Sequence, residues 1–368
     1  MKIAIDVHSL GTQAGGNETY YRQLVRGLAH DDSKNSYILF HTHPFALDEI
    51  KTDPRITLRR ISRNPALRLS TTLPLALRAV RPDVFHCQYI KPLWGAGKTV
   101  VSIHDLAHEH FPEFFHPLEV IRMKKLVPWT AKKALHILTV SEFSADDIAD
   151  RFGLSRDKIT VTYPSASPEF QPRNKESCRE HLAQRYGIRA PFILYVGRIQ
   201  ARKNLLRLVE AYAHLRNKGA AVQLVIVGKK DWQSELLFEK IRKLQLESSV
   251  LFPGFVPFGD LPLFYNAAEL FVFPSFFEGF GLPVIESMAS GTPTITSFGS
   301  SLQEVAGDGA LLIDPSDSGS IAAGLEKVLG DQEFRKGLIQ RGIQRASQFK
   351  QEELAQKTLA VYRATAQT

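Results

Sequence analysis

Short apolar runs alternate with longer amphipathic stretches along most of the chain. This alternation is typical of parallel β-sheets whose faces are covered by helices. In the first half the apolar runs predict seven strands, at Lys2–Val7, Ser36–His41, Ile56–Ile61, Val84–Gln88, Thr99–His104, Ile137–Val140 and Ile159–Thr162. Helices are predicted between them at Glu18–Ala29 and Leu118–Ala134. We expect Pro128 to interrupt or kink the second helix, because proline cannot donate the helical hydrogen bond.

A second series of the same kind begins after residue 190. Its apolar runs predict strands at Phe192–Val196, Gln223–Val227, Val250–Phe252, Leu270–Phe273, Thr292–Thr296 and Ala310–Ile313. The intervening helices are predicted at Asn204–Asn217, Asp231–Leu246, Gly259–Ala268, Gly281–Ser290 and Asp317–Leu329. Residues 163–172, between the two series, hold three prolines and two serines. That composition suits a stiff connector between two domains.

The two series predict two doubly wound α/β domains, the first over residues 1–168 and the second over residues 169–350. Open sheets of this kind bind ligands beyond the carboxyl ends of their strands. Two such domains therefore predict a ligand-binding cleft where those strand ends face each other. Another helix is predicted at Glu352–Ala364.

The overall composition narrows the class of protein. Of 368 residues, 44% are hydrophobic and 23% are charged, which is typical of a folded globular protein. The first apolar run reaches an acid at Asp6, so it indicates a buried strand and not a secretory signal. No run approaches the roughly 20 apolar residues of a membrane-spanning helix. Cys87 and Cys178 lack the spacing of a zinc site or a disulfide framework, so we expect two free thiols and a cytoplasmic protein.

Positive charge is concentrated in one part of the chain, although the formal net charge is only +8. Between Arg55 and Lys133 there are fourteen Lys/Arg against five Asp/Glu, so the remainder is close to neutral. Such a region favours an anionic partner, either a membrane surface, a lipid diphosphate or nucleic acid, unless it is an ordinary solvated surface. No nucleic-acid recognition motif accompanies it, so nucleic acid is not expected.

The most specific motif is the segment from Phe276 to Glu286, which joins a predicted strand to a predicted helix. Its glycine-containing turn exposes backbone N–H groups at a helix N-terminus, where anions bind well. Glu278 lies in the turn and Glu286 lies farther along the helix. Each carboxylate accepts hydrogen bonds from vicinal hydroxyls, so one is expected to contact a hexose and the other a ribose. The residues of this segment that are predicted to bind such a ligand are Glu278, Gly279, Phe280, Gly281, Leu282 and Glu286.

Glu278 and Glu286 match the Glu-x7-Glu motif of family 4 of the retaining glycosyltransferases, and the whole string from Pro274 to Pro293 resembles that family. The resemblance extends over nearly the whole chain and is strongest from Phe192 to Asp314. It implies the GT-B fold, in which two Rossmann-like domains face a central cleft and a C-terminal helix, here residues 351–368, returns to the first domain. It also implies a retaining hexosyltransferase that uses a nucleoside-diphosphate sugar and no metal cofactor.

The segment from Val196 to Asn204 places cations between a predicted strand and a predicted helix. Fixed positive charges suit a leaving nucleoside diphosphate, because negative charge builds on its oxygens as the glycosidic bond breaks. The resemblance implies that Arg198 and Lys203 hold the diphosphate. We expect Arg202 to be a solvated neighbour.

The first domain contributes the other residues that the resemblance implies. Gly15 and Gly16 match a glycine pair that lies against the donor, and His104 is expected to reach the donor sugar near the reacting carbon. Catalysis is therefore assigned to His104, Arg198, Lys203 and Glu278. Asp105 and Glu142 are placed on the acceptor side, with Ser141 as a helix N-cap. The roles of Asn17 and Glu18 stay open.

The run from His104 to Glu113 resembles bacterial enzymes that transfer mannose from GDP-mannose during surface polysaccharide assembly. GDP-mannose is therefore the expected donor, with UDP-glucose or another UDP-sugar as the alternative. The expected acceptor is a glycan or a polyprenyl-diphosphate-linked glycan at the inner face of the membrane, where the basic region can contact anionic lipid. A non-catalytic sugar-nucleotide-binding scaffold would show no turnover, and a sugar-nucleotide epimerase would form product without an acceptor.

Overall fold

A computed structural model of the chain describes residues 1–12, 15–31, 34–45, 50, 52–230 and 234–368. The chain divides into two compact units. The first unit comprises Met1–Pro164 together with Lys350–Thr368, and the second comprises Ser165–Phe349. Each unit holds one parallel sheet with helices between successive strands, so the predicted α/β class is confirmed.

The first unit contains a seven-stranded sheet in the order β3-β2-β1-β4-β5-β6-β7. All seven predicted strands are present, and each end lies within two residues of its predicted position. The strands are β1 Lys2–Asp6, β2 Ser36–His41, β3 Ile56–Arg60, β4 Val84–Gln88, β5 Thr99–Ser102, β6 His136–Thr139 and β7 Ile159–Val161. Strands β4 and β5 are buried along their whole length, which is why they appear as continuous apolar runs.

The helices of the first unit differ from prediction at two places. The helix Pro117–Lys133 continues through Pro128, so Pro128 does not interrupt it, and the alternative of a kink stays a prediction. Proline lacks only its own N–H donor, so a 17-residue helix can continue past one proline. Helical turns between residues 65 and 80 were not predicted. The helical segments are Gly16–Ala29, Pro65–Leu67, Arg68–Thr72, Leu73–Val80, Ala107–His110, Pro117–Lys133, Glu142–Phe152 and Gln351–Gln367.

The C-terminal helix Gln351–Gln367 packs within the first unit. Its Tyr362 is fully buried and hydrogen-bonds His86 Nδ1 at 2.6 Å, while His86 Nε2 bonds Ser102 Oγ at 2.7 Å. A side chain at Gly27 would lie 2.5 Å from Ala355 Cβ, so glycine permits the close approach of this helix to Gly16–Ala29. The sheet and the C-terminal helix are thereby joined by polar contacts as well as apolar ones.

The second unit contains a six-stranded parallel sheet in the order β10-β9-β8-β11-β12-β13. All six predicted strands are present, at β8 Phe192–Val196, β9 Gln223–Val227, β10 Val250–Gly254, β11 Leu270–Phe273, β12 Thr294–Ser297 and β13 Leu311–Ile313. The helices are Lys175–Tyr186, Leu205–Asn217, Glu235–Lys243, Leu261–Ala267, Leu282–Ala289, Ser301–Ala306, Ser318–Gly330 and Gln332–Ala346. The predicted start of one helix at Asp231 lies outside the described residues.

Two further expectations concern the thiols and the membrane. Cys87 and Cys178 are both buried and unbridged, as predicted. Within the described ranges, no helix combines the length and apolar character needed to cross a membrane.

Candidate active site

The residues of the predicted diphosphate site lie beyond the carboxyl ends of β8 and β11, which are neighbours in the second sheet. Hydrogen bonds join the loop after β8 to the loop after β11 there. Phe276 N donates to the carbonyl of Arg202 at 3.1 Å, and Asn204 Nδ2 donates to the carbonyls of Pro274 and Pro315 at 3.1 and 2.6 Å. Asn204 has a φ of 60°, a left-handed conformation that asparagine tolerates better than most residues. This residue therefore ends one loop and holds the other in place.

Glu278 occupies the centre of this region and is only 7% exposed. Its carboxylate accepts a hydrogen bond from Lys203 Nζ, and its Oε2 lies 3.1 Å from Arg202 Nη1. Burial alone would raise the pKa of Glu278, but the charges of Arg202 and Lys203 outweigh burial and hold that pKa below its usual value. Glu278 is therefore an ionised carboxylate shared by two cations.

Arg202 differs from its prediction. Its side chain is only 14% exposed, and it donates to the carbonyl of Phe277 in addition to pairing with Glu278. The expectation of a solvated neighbour is wrong, because Ala201–Lys203 forms a short 3₁₀ turn that directs two successive cations toward the Glu278 loop. The same turn buries Lys203, which is 9% exposed and whose Nζ lies 5.0 Å from the centre of the Phe273 ring.

Arg198 is placed differently from these two cations. It lies two residues after the end of β8 and is exposed to solvent. Its carbonyl accepts a hydrogen bond from the Tyr195 hydroxyl at 3.2 Å, which fixes the backbone of the segment. The structure thus brings Lys203 and Glu278 into contact, with the exposed Arg198 at the start of the same loop.

The turn before the helix Leu282–Ala289 requires glycine at position 281. Gly281 has a φ of 97°, and a Cβ atom there would lie 2.4 Å from Leu302 Cδ2. Val284 N donates to the Gly281 carbonyl at 2.9 Å, and Pro283 occupies the first turn, where no intrahelical donor is needed. The helix N-terminus, which carries a partial positive charge, therefore begins at Leu282, four residues after Glu278.

Glu286 lies on the same helix, one turn farther along. It accepts a hydrogen bond from the buried Tyr265 hydroxyl at 2.8 Å. Burial raises the pKa of Glu286 to about 7, although the Tyr265 hydrogen bond opposes that change. The two glutamates of the motif therefore differ near neutral pH, since Glu278 is ionised and Glu286 titrates.

His104 follows β5 in the first unit and is 6% exposed. Its ring packs edge-on against Tyr20 at 4.6 Å and against Tyr89 at 5.8 Å between ring centres. Burial lowers the pKa of His104 to about 4, so the ring is neutral at physiological pH. Its Nε2 has no hydrogen-bond partner in the part of the chain that the structure describes.

Asp105 lies next to His104 and lines a cavity of about 430 Å³ in the first unit. Its Oδ1 accepts a hydrogen bond from Ala107 N at 3.0 Å, which begins the short helix Ala107–His110. Asn17, whose role the sequence left open, lines the same cavity. Glu142 instead is exposed and pairs with Arg156 on the surface.

Gly15 and Gly16 begin the first helix of this unit. Gly15 has a φ of 64° and precedes the helix, and Gly16 is its first residue. Glu18 accepts a hydrogen bond from Gly11 N at 3.1 Å and pairs with Arg22 at 3.0 Å, so it closes the preceding loop. The predicted N-cap is confirmed, since Ser141 Oγ accepts from Ser144 N at 3.0 Å.

Comparison with known proteins identifies the family. Residues 14–170 match the family model described as Glycosyltransferase Family 4, and residues 179–345 match Glycosyl transferases group 1. The O-antigen chain mannosyltransferase B of Escherichia coli is 31% identical over 99% of this chain and 100% of that protein. The chain belongs to the family 4 glycosyltransferases.

Solved structures support the fold of this glycosyltransferase. Sucrose-phosphate synthase from Thermosynechococcus elongatus covers 99% of the chain with a TM-score of 0.80 and 22% identity. Anabaena Alr3699/HepE, solved with UDP and glucose, also covers 99% of the chain, with a TM-score of 0.79 and 18% identity. The GT-B fold with two Rossmann-like domains is therefore confirmed. The family models and the similarity to the Escherichia coli mannosyltransferase confirm the assignment to the hexosyltransferases.

Three residues that sequence reasoning missed support the site of this glycosyltransferase. Arg202 pairs with Glu278, Asn204 joins the two loops, and Tyr265 bonds Glu286. Asparagine directly after two cations was an available signal for a left-handed turn. Tyr265 gave no signal, because it is 21 residues from Glu286 and its contact depends on helix packing.

Proposed function

We propose that this glycosyltransferase transfers mannose from GDP-mannose to a hydroxyl of a growing glycan, with retention of anomeric configuration and without a metal cofactor. The full-length similarity to an O-antigen chain mannosyltransferase carries the choice of sugar. The alternative donor is a UDP-sugar, since the structural neighbour Alr3699/HepE was solved with UDP and glucose.

The charge of the second-unit site supports binding of a nucleoside diphosphate. Arg198, Arg202 and Lys203 supply three cations from one loop, and Glu278 supplies the carboxylate that Arg202 and Lys203 share. That excess is close to the charge of a diphosphate, and the N-terminus of Leu282–Ala289 adds backbone dipoles. In the proposed complex the diphosphate bonds to Lys203 and Arg198, whereas Glu278 and Glu286 accept hydrogen bonds from hydroxyls of the sugar and the ribose.

The proposed reaction breaks the bond between the anomeric carbon and the diphosphate oxygen and forms a bond from that carbon to the acceptor oxygen. The acceptor proton passes to the departing phosphate oxygen on the same face. Fixed cations and helix N–H groups stabilise the negative charge that develops on the leaving group. His104, held neutral by burial, contributes a hydrogen bond to the donor sugar near the reacting carbon.

We also propose that a polyprenyl diphosphate carries the acceptor glycan and that the first unit contacts the anionic inner face of the membrane. The helix Pro117–Lys133 supports this assignment, because Leu118 and Ile121 are 71% and 54% exposed beside Arg122 and Lys125. Apolar and basic groups on one surface suit an anionic bilayer. Flotation with anionic liposomes at low salt tests it, and a protein that stays entirely unbound would contradict it.

Calorimetric binding of GDP, UDP and ADP to the wild type and to Lys203→Ala tests the donor assignment. Tight GDP binding that the variant loses would support both the diphosphate site and a GDP-sugar. Preference for UDP would keep the transferase and replace mannose as the leading sugar. Binding of none of the three would contradict the donor site and favour a non-catalytic scaffold.

A further inference from the structure

The second unit contains a cavity at the edge of its sheet opposite the predicted diphosphate site. The cavity encloses about 320 Å³, and all of its lining residues belong to this unit. On its wall, Glu269 lies immediately before β11 and Pro293 immediately before β12. The cavity is therefore at the amino ends of these parallel strands, whereas open α/β sheets bind their substrates beyond the carboxyl ends. A ligand here would be separate from the groups that take part in transfer.

Positive charge is concentrated around this cavity. Four cationic side chains line it, namely Arg173, Lys175, Arg335 and Lys336. Among the described residues of the lining, Glu269 is the one carboxylate. Arg179 adds a cation beside Glu269, and Glu333 adds a carboxylate that pairs with Lys336 at 2.8 Å. Five cations therefore meet two carboxylates at this position.

This excess is local and does not reflect a basic domain. From Ser165 to Phe349 the sequence has 21 Lys/Arg against 19 Asp/Glu, so the second unit as a whole is nearly neutral. The cavity alone has three more cations than carboxylates when its paired neighbours are included. A concave surface with such an excess attracts anions.

Glu269 is shared by three of these cations. It lies 3.1 Å from Lys175 Nζ and 3.8 Å from Arg335 Nη1, and Arg179 also pairs with it. Burial lowers the pKa of Lys175, Glu269 opposes that change, and Arg179 and Arg335 reinforce it. One carboxylate balances only one of the three charges, so the cations still repel one another. A bound anion would supply the negative charge that this cluster lacks.

The same cations are accessible enough to bond a ligand. The side chains of Lys175, Arg179 and Arg335 are 34%, 36% and 29% exposed. Ammonium and guanidinium groups both bind phosphate well, and a guanidinium can donate two parallel hydrogen bonds to it.

Two helices also begin at this cavity. Lys175 is the first residue of the helix Lys175–Tyr186, Gln332 is the first residue of the helix Gln332–Ala346, and both residues line the cavity. A helix N-terminus carries a partial positive charge and N–H groups that bond anions. Helix dipoles therefore add to the charges of the side chains, and the volume of about 320 Å³ is large enough for a small phosphorylated molecule.

We propose that this cavity is a second anion site, which binds the phosphate group of a small molecule independently of the nucleotide donor. Lys175, Arg335 and the two helix N-termini are assigned to the phosphate. Inorganic phosphate and a sugar phosphate present the same group, and the remaining volume distinguishes them, because only the sugar phosphate would fill it. The inference does not depend on which sugar the transferase uses.

Phosphorus NMR titrations with inorganic phosphate and with mannose 6-phosphate test the inference on the wild type and on Lys203→Ala. The variant removes the predicted diphosphate site from the measurement. We expect saturable binding of phosphate by both proteins. Tighter binding of mannose 6-phosphate would identify a sugar phosphate as the ligand, and equal binding would identify free phosphate. Binding that is absent from both proteins, or that Lys203→Ala loses, would overturn the inference.

Lys175→Gln and Arg335→Gln locate the site, with the exposed Lys243→Gln of the same unit as matched control. We expect each cavity variant to weaken phosphate binding about tenfold, the factor that corresponds to about 1.4 kcal/mol. Lys243→Gln should stay within about twofold of the wild type, and so should the Kd for nucleotide in all three variants. Unchanged phosphate affinity in folded Lys175→Gln and Arg335→Gln would overturn the inference.

Two further variants keep the test decisive where a charge removal unfolds the protein. Arg335→Lys preserves the charge, so it should retain most of the phosphate affinity. Glu269→Gln removes the carboxylate of the lining and should tighten phosphate binding severalfold, the opposite direction to Lys175→Gln. Weaker phosphate binding by folded Glu269→Gln would contradict an anion site at this position.

Discussion

The ion-pair cluster around Glu278 and the cavity beside Asp105 differ in whether their buried polar groups have partners. In the second unit, Glu278 is bonded by Lys203 and Arg202, so buried charges satisfy one another. In the first unit, Gln88 and His108 keep polar atoms without partners among the described residues. Excess charge supplies affinity for an anionic leaving group, whereas unpaired neutral groups discriminate strongly against ligands that lack the matching hydroxyl. The buried charges around Glu278 are therefore paired with one another, whereas the cavity beside Asp105 keeps buried polar atoms without hydrogen-bond partners in the described part of the chain.

The largest expected effect comes from removing a cation from the cluster. Lys203→Ala should lower transfer by about a thousandfold or more, because stabilisation of the leaving diphosphate is lost. The fold should be retained, since Arg202 still pairs with Glu278. Radiolabelled sugar transfer measures the loss, with the exposed Lys336→Ala as the matched control. Wild-type turnover in Lys203→Ala would contradict the role of Lys203 and remove the basis of the comparison.

Replacement of the shared carboxylate should affect both activity and stability. Glu278→Gln leaves two cations facing a neutral amide, so we expect a loss of about 3 kcal/mol and a Tm lower by roughly 6 to 12 °C at pH 7. The pKa of Glu278 is depressed, so its stabilisation is present above the usual value of 4.5 and is lost as pH falls through the folded pKa. The Tm difference between wild type and Glu278→Gln should therefore shrink in acid. A difference independent of pH would show that the ion pairs are not its cause.

Glu286 should make nucleotide binding depend on pH near neutrality. Its pKa is about 7, and only the ionised carboxylate fully accepts hydrogen bonds from ribose hydroxyls. GDP affinity should therefore rise by up to about tenfold from pH 6 to pH 8. Glu286→Gln should flatten this profile, and Tyr265→Phe should move its midpoint upward because the hydrogen bond that lowers the pKa is lost. Calorimetry across this pH range measures both effects, and an unchanged profile in Glu286→Gln would assign the titration to another group.

Glu286 should also make the free energy of unfolding depend on pH. The pKa of Glu286 in the folded protein lies above the usual value of 4.5. Its contribution to the free energy of unfolding is therefore fully present below pH 4.5 and is lost as pH rises through about 7. At pH 8, Glu286→Gln should therefore be more stable than the wild type by about 2 kcal/mol, while the two should be equal near pH 4. Thermal unfolding at the two pH values measures the difference. Equal Tm values at pH 8 would contradict the raised pKa.

The smallest expected effect comes from the hydrogen bond between Tyr362 of the C-terminal helix and His86 of the first sheet. Tyr362→Phe removes the 2.6 Å bond to His86 and should lower the Tm of this unit by a few degrees, while KM values stay within about twofold. Tyr21→Phe is the matched control, since its contact with His86 is 3.5 Å and weaker. Calorimetry measures both transitions. A larger loss in Tyr21→Phe would contradict the assignment of the main support to Tyr362.

Apolar runs were sufficient to predict all thirteen strands of the described residues, because ten of them are mostly buried. The three that are not mostly buried, β3, β10 and β13, lie at sheet edges. The apolar pattern missed the helices Lys175–Tyr186 and Gln332–Ala346, which bury only two or three residues each and are otherwise charged. A helix of this kind has no clear apolar stripe, so its pattern resembles that of a polar loop. Asn204 was placed inside a helix although it precedes one in a left-handed conformation.

The residues of the site were predictable to different extents. The spacing of Glu278 and Glu286 and the cations at Arg198 and Lys203 are visible in the sequence because they form local motifs. The burial of Arg202 depends on a contact across 76 residues with Glu278, which no local pattern contains. The unpartnered atoms of Gln88 and His108 are likewise a property of the folded cavity, since glutamine and histidine in a sequence carry no sign of whether their bonds are satisfied.

The packing of Gln351–Gln367 in the first unit has a consequence for synthesis on the ribosome. His86 and Ser102 emerge early, but Tyr362 emerges only after all of Ser165–Phe349 has been made. At translation rates of 5–20 residues per second, those 185 residues take about 10 to 40 s. The second unit is therefore synthesised completely before the first unit. Until then the helix Gly16–Ala29 lacks the surface of Gln351–Gln367 that packs against it. A nascent chain that stalls before residue 350 would expose the uncovered surface of Gly16–Ala29 to chaperones, and emergence of the helix Gln351–Gln367 from the ribosome would allow the first unit to complete its packing.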